Sequence, residues 1–114
     1  MPNESSASAS TTACVFRIDK FVVPADALPA FIKQMQHIQG AVHGLPGCQR
    51  DLLLTQTGGA GEFNVVRMIE WASAEAVAAA QAVVQKKFAD EGFDPAAFVQ
   101  RLGVRADLGF YSKA

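Results

Sequence analysis

The sequence has few of the residues that build disulfide scaffolds, metal centres and nucleic-acid surfaces. It contains two cysteines and two histidines among 114 residues, too few for a disulfide framework or a cysteine-based zinc site. Ten basic residues are scattered among eleven acidic ones, for a net charge of −1, whereas phosphate binding needs clustered Lys and Arg. No apolar run approaches the roughly 18 residues that cross a bilayer. We therefore expect neither nucleic acid nor a membrane as a partner.

The remaining composition is that of one small globular domain. Half of the residues are apolar and 18% are charged, which allows one modest core. Residues 1–13 are rich in Ser, Ala and Thr and lack the charged start and apolar core of a secretory signal. We expect a disordered tail over 1–13, a folded domain over 14–114, and a cytoplasmic location.

The order of strand-like and helix-like patterns predicts the fold. β-Branched and aromatic runs indicate strands, and apolar residues spaced three and four apart indicate helices. Asp26, Ser73 and Asp94 are expected N-caps, and Gly58 to Gly61 suit a hairpin loop. The predicted order is strand 14–23, helix 26–43, strands 49–57 and 62–71, helix 74–90, a short helix ending near 102, and strand 105–112. This is the β-α-β-β-α-β pattern of an antiparallel, ferredoxin-like α+β domain.

The first strand is apolar on both of its faces. Phe16 and Ile18 alternate with Val15 and Phe21, although an antiparallel sheet with one solvated face should carry polar residues there. Helices can cover only one face, so the other needs a partner, and a second copy is the simplest one. We expect a homodimer in which two sheets face each other as a barrel.

Several short motifs occur in an order that is typical of one family. They are FVVP at 21–24 running into a helix, LPGC at 45–48, a glycine hairpin, and IEW at 69–71 before a helix that opens at Ser73. Over residues 14–112 the chain resembles the antibiotic-biosynthesis-monooxygenase family of dimeric α+β barrels. The resemblance implies an apolar cleft between the helices and the sheet. Family members include cofactor-independent oxygenases of polycyclic phenols and quinol-type aromatics, as well as haem-degrading proteins.

Three charged residues are candidates for the chemistry of such a cleft. Arg17 and Asp19 lie in mid-strand on an apolar face, where charges are costly unless paired or hydrated. They could form a mutual or dimer-crossing ion pair. Alternatively, Asp19 could act at the cleft, roughly where haem-degrading relatives carry an Asn, with Arg17 binding substrate. Arg67 could pair with Asp19 or Asp51, or could stabilise an oxyanion.

Four further residues are candidates for binding an aromatic substrate. Trp71 aligns with a Trp at the end of the family's third strand, where it could pack the core or position a ligand. Phe88 would extend that aromatic wall. Tyr111 could meet a phenolic substrate or simply reach solvent. The resemblance places Gln81 in a region where many oxygenase-like relatives carry a His.

The second long helix argues against haem chemistry. The haem-degrading branch carries a Trp and an axial His in this helix, whereas residues 74–91 contain neither, so an iron ligand is missing. His37 and His43 are six residues apart on different helix faces and have no third ligand. We expect no metal and no cofactor, and take His37 as a solvated residue and His43 as a helix cap.

Two hypotheses follow. The first is a cofactor-independent monooxygenase that uses O₂ on a small phenolic or quinol-like aromatic molecule, with Asp19 and Arg67 as catalytic groups. The second is a non-catalytic dimeric barrel that binds a small apolar ligand or serves as a structural or regulatory subunit. An open cleft walled by Trp71 favours the first; a cleft filled by phenylalanine side chains favours the second.

Overall fold

The elements of the chain follow the predicted order. The computed structural model describes residues 13–114, so the tail expected over 1–13 lies, apart from Ala13, outside the described residues. The elements are β1 (Val15–Val22), a 3-10 turn (Ala25–Ala27), α1 (Leu28–Val42), β2 (Cys48–Thr55), β3 (Val65–Trp71), α2 (Ala74–Glu91), α3 (Pro95–Leu102) and β4 (Arg105–Tyr111). Within these described residues, no helix combines the length and apolarity that a membrane crossing requires.

The four strands form one antiparallel sheet in the order β2-β3-β1-β4. The two central strands are β1 and β3, and their register places Val15 opposite Trp71 and Phe21 opposite Val65. With the helices between the strands, this arrangement confirms the ferredoxin-like α+β fold.

The ends of α2 and α3 are set by local side chains. The Ser73 hydroxyl accepts a hydrogen bond from the amide of Ala76 at 3.1 Å, as predicted. Asp94 accepts from the first two free amides of α3. Gly92 adopts the left-handed conformation after α2, with φ of 66°, which a residue without a Cβ does at little cost.

Asp26 does not cap α1, contrary to the prediction. It lies inside the 3-10 turn, which begins after Pro24, and no side chain caps either the turn or α1. The Ala27 amide instead donates to the carbonyl of Pro24 at 2.9 Å. Pro29 in the first turn of α1 leaves one fewer amide to be satisfied there.

The core lies on one face of the sheet. Phe31 of α1 and Val65 of β3 are fully buried. The ring of Phe31 packs edge-on against that of Phe21, with 4.9 Å between ring centroids, and stacks on that of Phe98 of α3, with 6.1 Å between centroids. Such aromatic contacts add to the free energy gained from apolar burial. Ala80 of α2 is buried in the same cluster, so all three helices contribute to the layer that covers this face.

The second face of the sheet carries apolar residues that belong to no core cluster. Phe16, Ile18 and Met68 are only partly buried, and Leu52 and Leu54 are 37% and 49% exposed. None of them packs against the buried cluster within the described residues. The two apolar faces predicted from the strands are present.

Candidate functional site

A pocket of about 820 Å³ opens between the sheet and the three helices. This volume lies within the range of roughly 300–1,000 Å³ that is usual for small-molecule sites. Most lining residues are apolar, and they come from the strands and from every helix: Phe21, Ile69, Trp71, Met35, Ile38, Val77, Ala80, Val84, Phe88, Phe93, Phe98 and Leu108 among others. The phenylalanine side chains line the cleft without filling it.

Six of the seven predicted site residues line this pocket. They are Arg17, Asp19, Arg67, Trp71, Gln81 and Phe88.

The structure does not bring Tyr111 to the pocket. Tyr111 pairs with Phe16 across the β1–β4 ladder, and directly opposed residues project to the same face of a sheet. Its side chain is 45% exposed on the second face. The residue of β4 that reaches the pocket opposite Asp19 is Leu108.

The pocket has a polar middle and two apolar ends. Along β1 the paired positions pass from Val15–Trp71, through Asp19–Arg67, to Phe21. α2 begins just after Trp71, at one end of the pocket. In the connecting segment, the Ala72 amide donates a hydrogen bond to the carbonyl of Gly47. At the other end, the ring of Phe93 lies between those of Phe88 and Phe98, with centroid distances of 5.1 and 5.5 Å. A flat aromatic ligand could therefore place a polar group over the middle of the sheet.

Asp19 is a buried carboxylate on the pocket floor. It is 7% exposed, and Arg17 donates from Nε to Oδ1 at 3.0 Å and to Oδ2 at 3.2 Å. Burial raises the pKa of Asp19 above its ordinary value; the charge and hydrogen bond of Arg17 and the charge of Arg67 oppose this without cancelling it. The mutual Arg17–Asp19 ion pair, one of the predicted alternatives, is present, and Asp19 also lines the pocket. The Asp19 carboxylate is accordingly a stronger base than a solvated one.

Arg67 is held by Asp51 and not by Asp19. Its Nε donates to Oδ1 of Asp51 at 3.1 Å and its Nη2 to Oδ2 at 2.8 Å. The two side chains are 8% and 4% exposed, and Gln39 of α1 donates to Oδ1 of Asp51 at 3.2 Å. Such a two-pronged pair fixes the plane of the guanidinium.

Arg67 lines the pocket while two of its nitrogens bind Asp51. Among the described residues, no fully buried side-chain nitrogen or oxygen lacks a hydrogen-bond partner. Within the described residues, the hydrogen bonds of the Arg67 side chain come from Nε and Nη2. Because Arg67 lines the pocket, Nη1 is the candidate donor to an oxyanion bound there.

Trp71 and two glutamines complete the polar and aromatic contacts. Trp71 is 4% exposed and lies against the pocket at the end of β3. Gln81 lines the pocket from α2, as does Gln85, which was missed by sequence reasoning. The four-residue spacing that places both side chains on one helix face was the available signal. Their amides can donate to or accept from a ligand at the rim.

The two histidines lie outside the pocket. His37 Nε2 is 3.2 and 3.1 Å from the carboxylate oxygens of Glu91, so it links the end of α2 to α1. This contact, together with Lys87, lowers the pKa of Glu91. His43 lines a separate depression of about 330 Å³ beside Gln39. Among the residues in 13–114, no three His, Cys, Asp or Glu side chains are grouped to hold a metal.

Comparison with known proteins identifies similar folds. No protein-family model and no curated protein matches the chain. SnoaB, a cofactor-independent oxygenase from Streptomyces nogalater, is 20% identical over 90% of this chain and 94% of its own, with a TM-score of 0.67. A variant of MhuD with two manganese protoporphyrin IX molecules per active site is 26% identical over 88% and 94%, with a TM-score of 0.67. The haem-degrading protein Rv3592 from Mycobacterium tuberculosis is 32% identical over 60% of this chain and 77% of its own, with a TM-score of 0.54.

Proposed function

This chain belongs to the antibiotic-biosynthesis-monooxygenase family of dimeric α+β barrels, and on that premise we propose that it oxidises a small phenolic or quinol-like aromatic substrate with O₂. The observation that carries the proposal is that the buried Asp19 carboxylate, whose pKa is raised by burial, and Arg67 line the same largely apolar pocket. The fold shared with SnoaB, itself a cofactor-independent oxygenase, supports a reaction without a resident cofactor.

In the proposed reaction, Asp19 acts as the general base. It accepts a proton from the substrate, and Arg67 Nη1 donates to the resulting oxyanion. The electron-rich anion, whose charge is delocalised onto the carbon of an activated ring CH₂ that has lost one proton, reduces O₂ and bonds to it, and the resulting peroxide takes the proton back from Asp19 to become a hydroperoxide. Loss of water leaves a carbonyl at that carbon, so one O₂ converts CH₂ to C=O and yields one H₂O. Trp71 and Phe88 would hold the rings on either side of the polar middle.

The residues present do not fit haem, which Rv3592 is described as degrading. Haem iron requires an axial ligand such as His, Cys, Met or Tyr, and α2 contains none of these. Of the described pocket-lining residues, only Met35 belongs to these types, and its side chain is packed in the core at 8% exposure. The proposed reaction therefore does not involve haem.

We further propose that the protein is a homodimer joined through the second face of the sheet. Leu52 and Leu54 are exposed on that face, and Ile18 and Met68 lie beside them in register with one another. Contiguous exposed apolar surface of this kind is typical of an interface. A second copy offers the same surface and would complete a barrel of two sheets.

A non-catalytic binding module is the second candidate, and one observation favours it. Arg17 and Arg67 each already have a carboxylate partner in the protein. The charges of the pocket are thus balanced without any substrate, as in a structural ion pair. Such a protein would bind an aromatic ligand in the same pocket and leave it unchanged.

Oxygen consumption separates the two candidates. Wild-type protein is mixed with an anthrone-like compound, which carries an activated ring CH₂, and oxygen uptake is compared with the uncatalysed rate. Asp19→Asn is expected to lower the enzymatic rate by about 10²-fold or more, as for other general bases. Asp90→Asn is the matched control, because it removes the same charge from an exposed pair with Lys86. Ligand binding without uptake would support the binding module instead.

A further inference from the structure

Arg67 does not form an ion pair with Asp19, its direct neighbour on the adjacent strand. Asp19 and Arg67 are direct partners across the β1–β3 ladder, where opposed Cβ atoms are roughly 4.5–5.5 Å apart. Two opposite charges in that relation would ordinarily pair. Among the described residues, however, no hydrogen bond or ion pair joins these two side chains, and Asp19 is bound by Arg17.

Arg67 instead reaches a more distant carboxylate. On β2 its direct partner is Leu53, whereas Asp51 is opposite Ile69, two positions along β3. Diagonal neighbours of this kind are roughly 7–8 Å apart, a distance that a long arginine side chain can span. Arg67 therefore extends along the sheet to Asp51, although the Cβ of Asp19 is closer.

The structure gives two reasons for that preference. Asp51 accepts with both of its carboxylate oxygens from Nε and Nη2 of Arg67, whereas both oxygens of Asp19 already accept from Arg17 Nε. Asp51 is in turn anchored by the Gln39 amide, which lies 3.2 Å from its Oδ1. Gln39 belongs to α1, so a residue of the helix layer helps to hold the Asp51 carboxylate whose Oδ1 also accepts from Arg67.

We propose that Asp51 is a positioning residue of the site: with Gln39, it holds the Arg67 guanidinium away from Asp19, so that Arg17 is the single ion-pair partner of Asp19 among the described residues and the carboxylate accepts a proton more readily. Asp51 does not line the pocket and would not touch a substrate. This inference rests on the proposed function, but the effect of Asp51 on the protonation of Asp19 can be measured without any turnover.

The charges that face Asp19 make the consequence specific. Arg17 approaches from β1 and Arg67 from β3, and Leu108 is the neighbour on β4. From α2, Gln81 and Gln85 are uncharged. The remaining charged residue of the described pocket lining is Asp94, whose Oδ1 accepts hydrogen bonds from the first amides of α3.

Releasing Arg67 would therefore give Asp19 a second ion-pair partner. A cation that moves into contact favours the ionised carboxylate and lowers its pKa. The base would then be weaker at the moment it is needed, although its side chain and the pocket would be unchanged.

The test is a ¹³C NMR titration of the Asp19 carboxyl in the full chain, in wild type, Asp51→Asn and Asp90→Asn. Asp51→Asn keeps the shape of the side chain and removes its charge, and the midpoint of Asp19 is expected to move to lower pH. Asp90→Asn removes a carboxylate from an exposed pair and should leave the midpoint unchanged. An unchanged midpoint in folded Asp51→Asn overturns the proposal.

Two further variants keep the test decisive if Asp51→Asn does not fold, since it strands a buried guanidinium. Gln39→Leu removes the anchor but no charge, and a smaller shift in the same direction is expected. The double variant Asp51→Leu with Arg67→Met removes both charges, a replacement that proteins often tolerate; the Asp19 midpoint should then not fall. A fall in the double variant, or no shift in Gln39→Leu, contradicts the proposal.

Activity provides an independent reading. If the wild type consumes O₂, the acid limb of its pH–rate profile should move to lower pH in Asp51→Asn together with the Asp19 midpoint. A purely structural role for Asp51 would lower the rate at every pH and leave the profile in place. If the wild type consumes no O₂, the proposed function is wrong, but the NMR result still stands. If the wild type is active and Asp51→Asn changes neither the pH–rate profile nor the Asp19 midpoint, only the positioning role is wrong.

Discussion

Asp19 and Arg67 face each other across two paired strands, yet each is bound to a different residue. Arg17 holds Asp19 at 3.0 Å, and Asp51 holds Arg67 at 2.8 Å. The Arg17–Asp19 pair and Arg67 thus lie side by side along one pocket, whereas Asp51 is not among its lining residues. Because the second pair is anchored outside the pocket, a carboxylate and a guanidinium can face the same ligand without neutralising each other through direct contact.

Substitution of Asp19 should change how stability depends on pH. Its pKa is raised above the ordinary 3.8, so the folded state holds this proton more tightly than the unfolded state. Its contribution to stability is present below that ordinary value and is lost as pH rises through the folded pKa. The free energy of unfolding of Asp19→Asn, relative to wild type, should therefore increase with pH above about 3.8 and then level off. Urea denaturation across pH measures this.

The control for this experiment is Asp90→Asn, whose carboxylate is exposed and paired with Lys86. Exposed pairs contribute little to stability, so its difference from wild type should be nearly flat over the same pH range. A relative stability of Asp19→Asn that falls with pH would contradict the burial of the Asp19 charge.

A methyl group at Gly47 should destabilise the turn before β2. Gly47 has a φ of +85°, and a Cβ there would collide with the Cβ of Ala76 at the start of α2. Gly44 also has a positive φ, +115°, but a Cβ there meets nothing within 4 Å. Gly47→Ala should therefore cost about 1–3 kcal/mol more than Gly44→Ala, as measured by urea denaturation. Equal costs would show that backbone conformation alone decides both positions.

Ligand binding should be visible in the emission of Trp71. It is the only tryptophan in the chain, and it lines the pocket while only 4% exposed. A stacked quinol is expected to quench this fluorescence in a saturable way when added without O₂. Phe88→Ala should weaken the binding constant several-fold, since it removes apolar contact at the opposite end of the pocket. Binding detected by calorimetry with unchanged emission would place the ligand elsewhere.

A charge on the second face of the sheet should separate the proposed dimer. Leu54 lies on that face and is 49% exposed, and Val83 on α2 is 50% exposed. Leu54→Glu should give a monomer by light scattering at micromolar concentration, because a buried unpaired carboxylate is costly. Val83→Glu introduces the same change at the same exposure and should leave the mass unchanged. A wild-type monomer would contradict the dimer itself.

The sequence predicted most of the fold because its signals are local. Ser73 and Asp94 cap helices through their own side chains, and the alternation along β1 separates two faces without reference to the rest of the chain. The face of the sheet on which Tyr111 lies could not be predicted in this way. It depends on the register with Phe16, and a shift of one residue moves every side chain of a strand to the other face.

The partner of Arg67 was also beyond the sequence. Both Asp19 and Asp51 were reasonable candidates, and the direct neighbour would ordinarily be preferred over the diagonal one. The choice depends on Gln39, which reaches Asp51 from α1. Contacts that join three separate elements cannot be deduced from the spacing within any one of them.

The proton transfer to Asp19 can be observed most directly without oxygen. A phenolic or quinol-like substrate is bound anaerobically to wild type and to Asp19→Asn, and its absorbance is recorded before O₂ is admitted. We expect the spectrum of the substrate anion in the wild-type complex, its decay with one O₂ consumed per substrate, and a neutral, oxygen-stable complex with Asp19→Asn. A neutral spectrum in wild type, or equal oxygen consumption by the two proteins, would contradict the account.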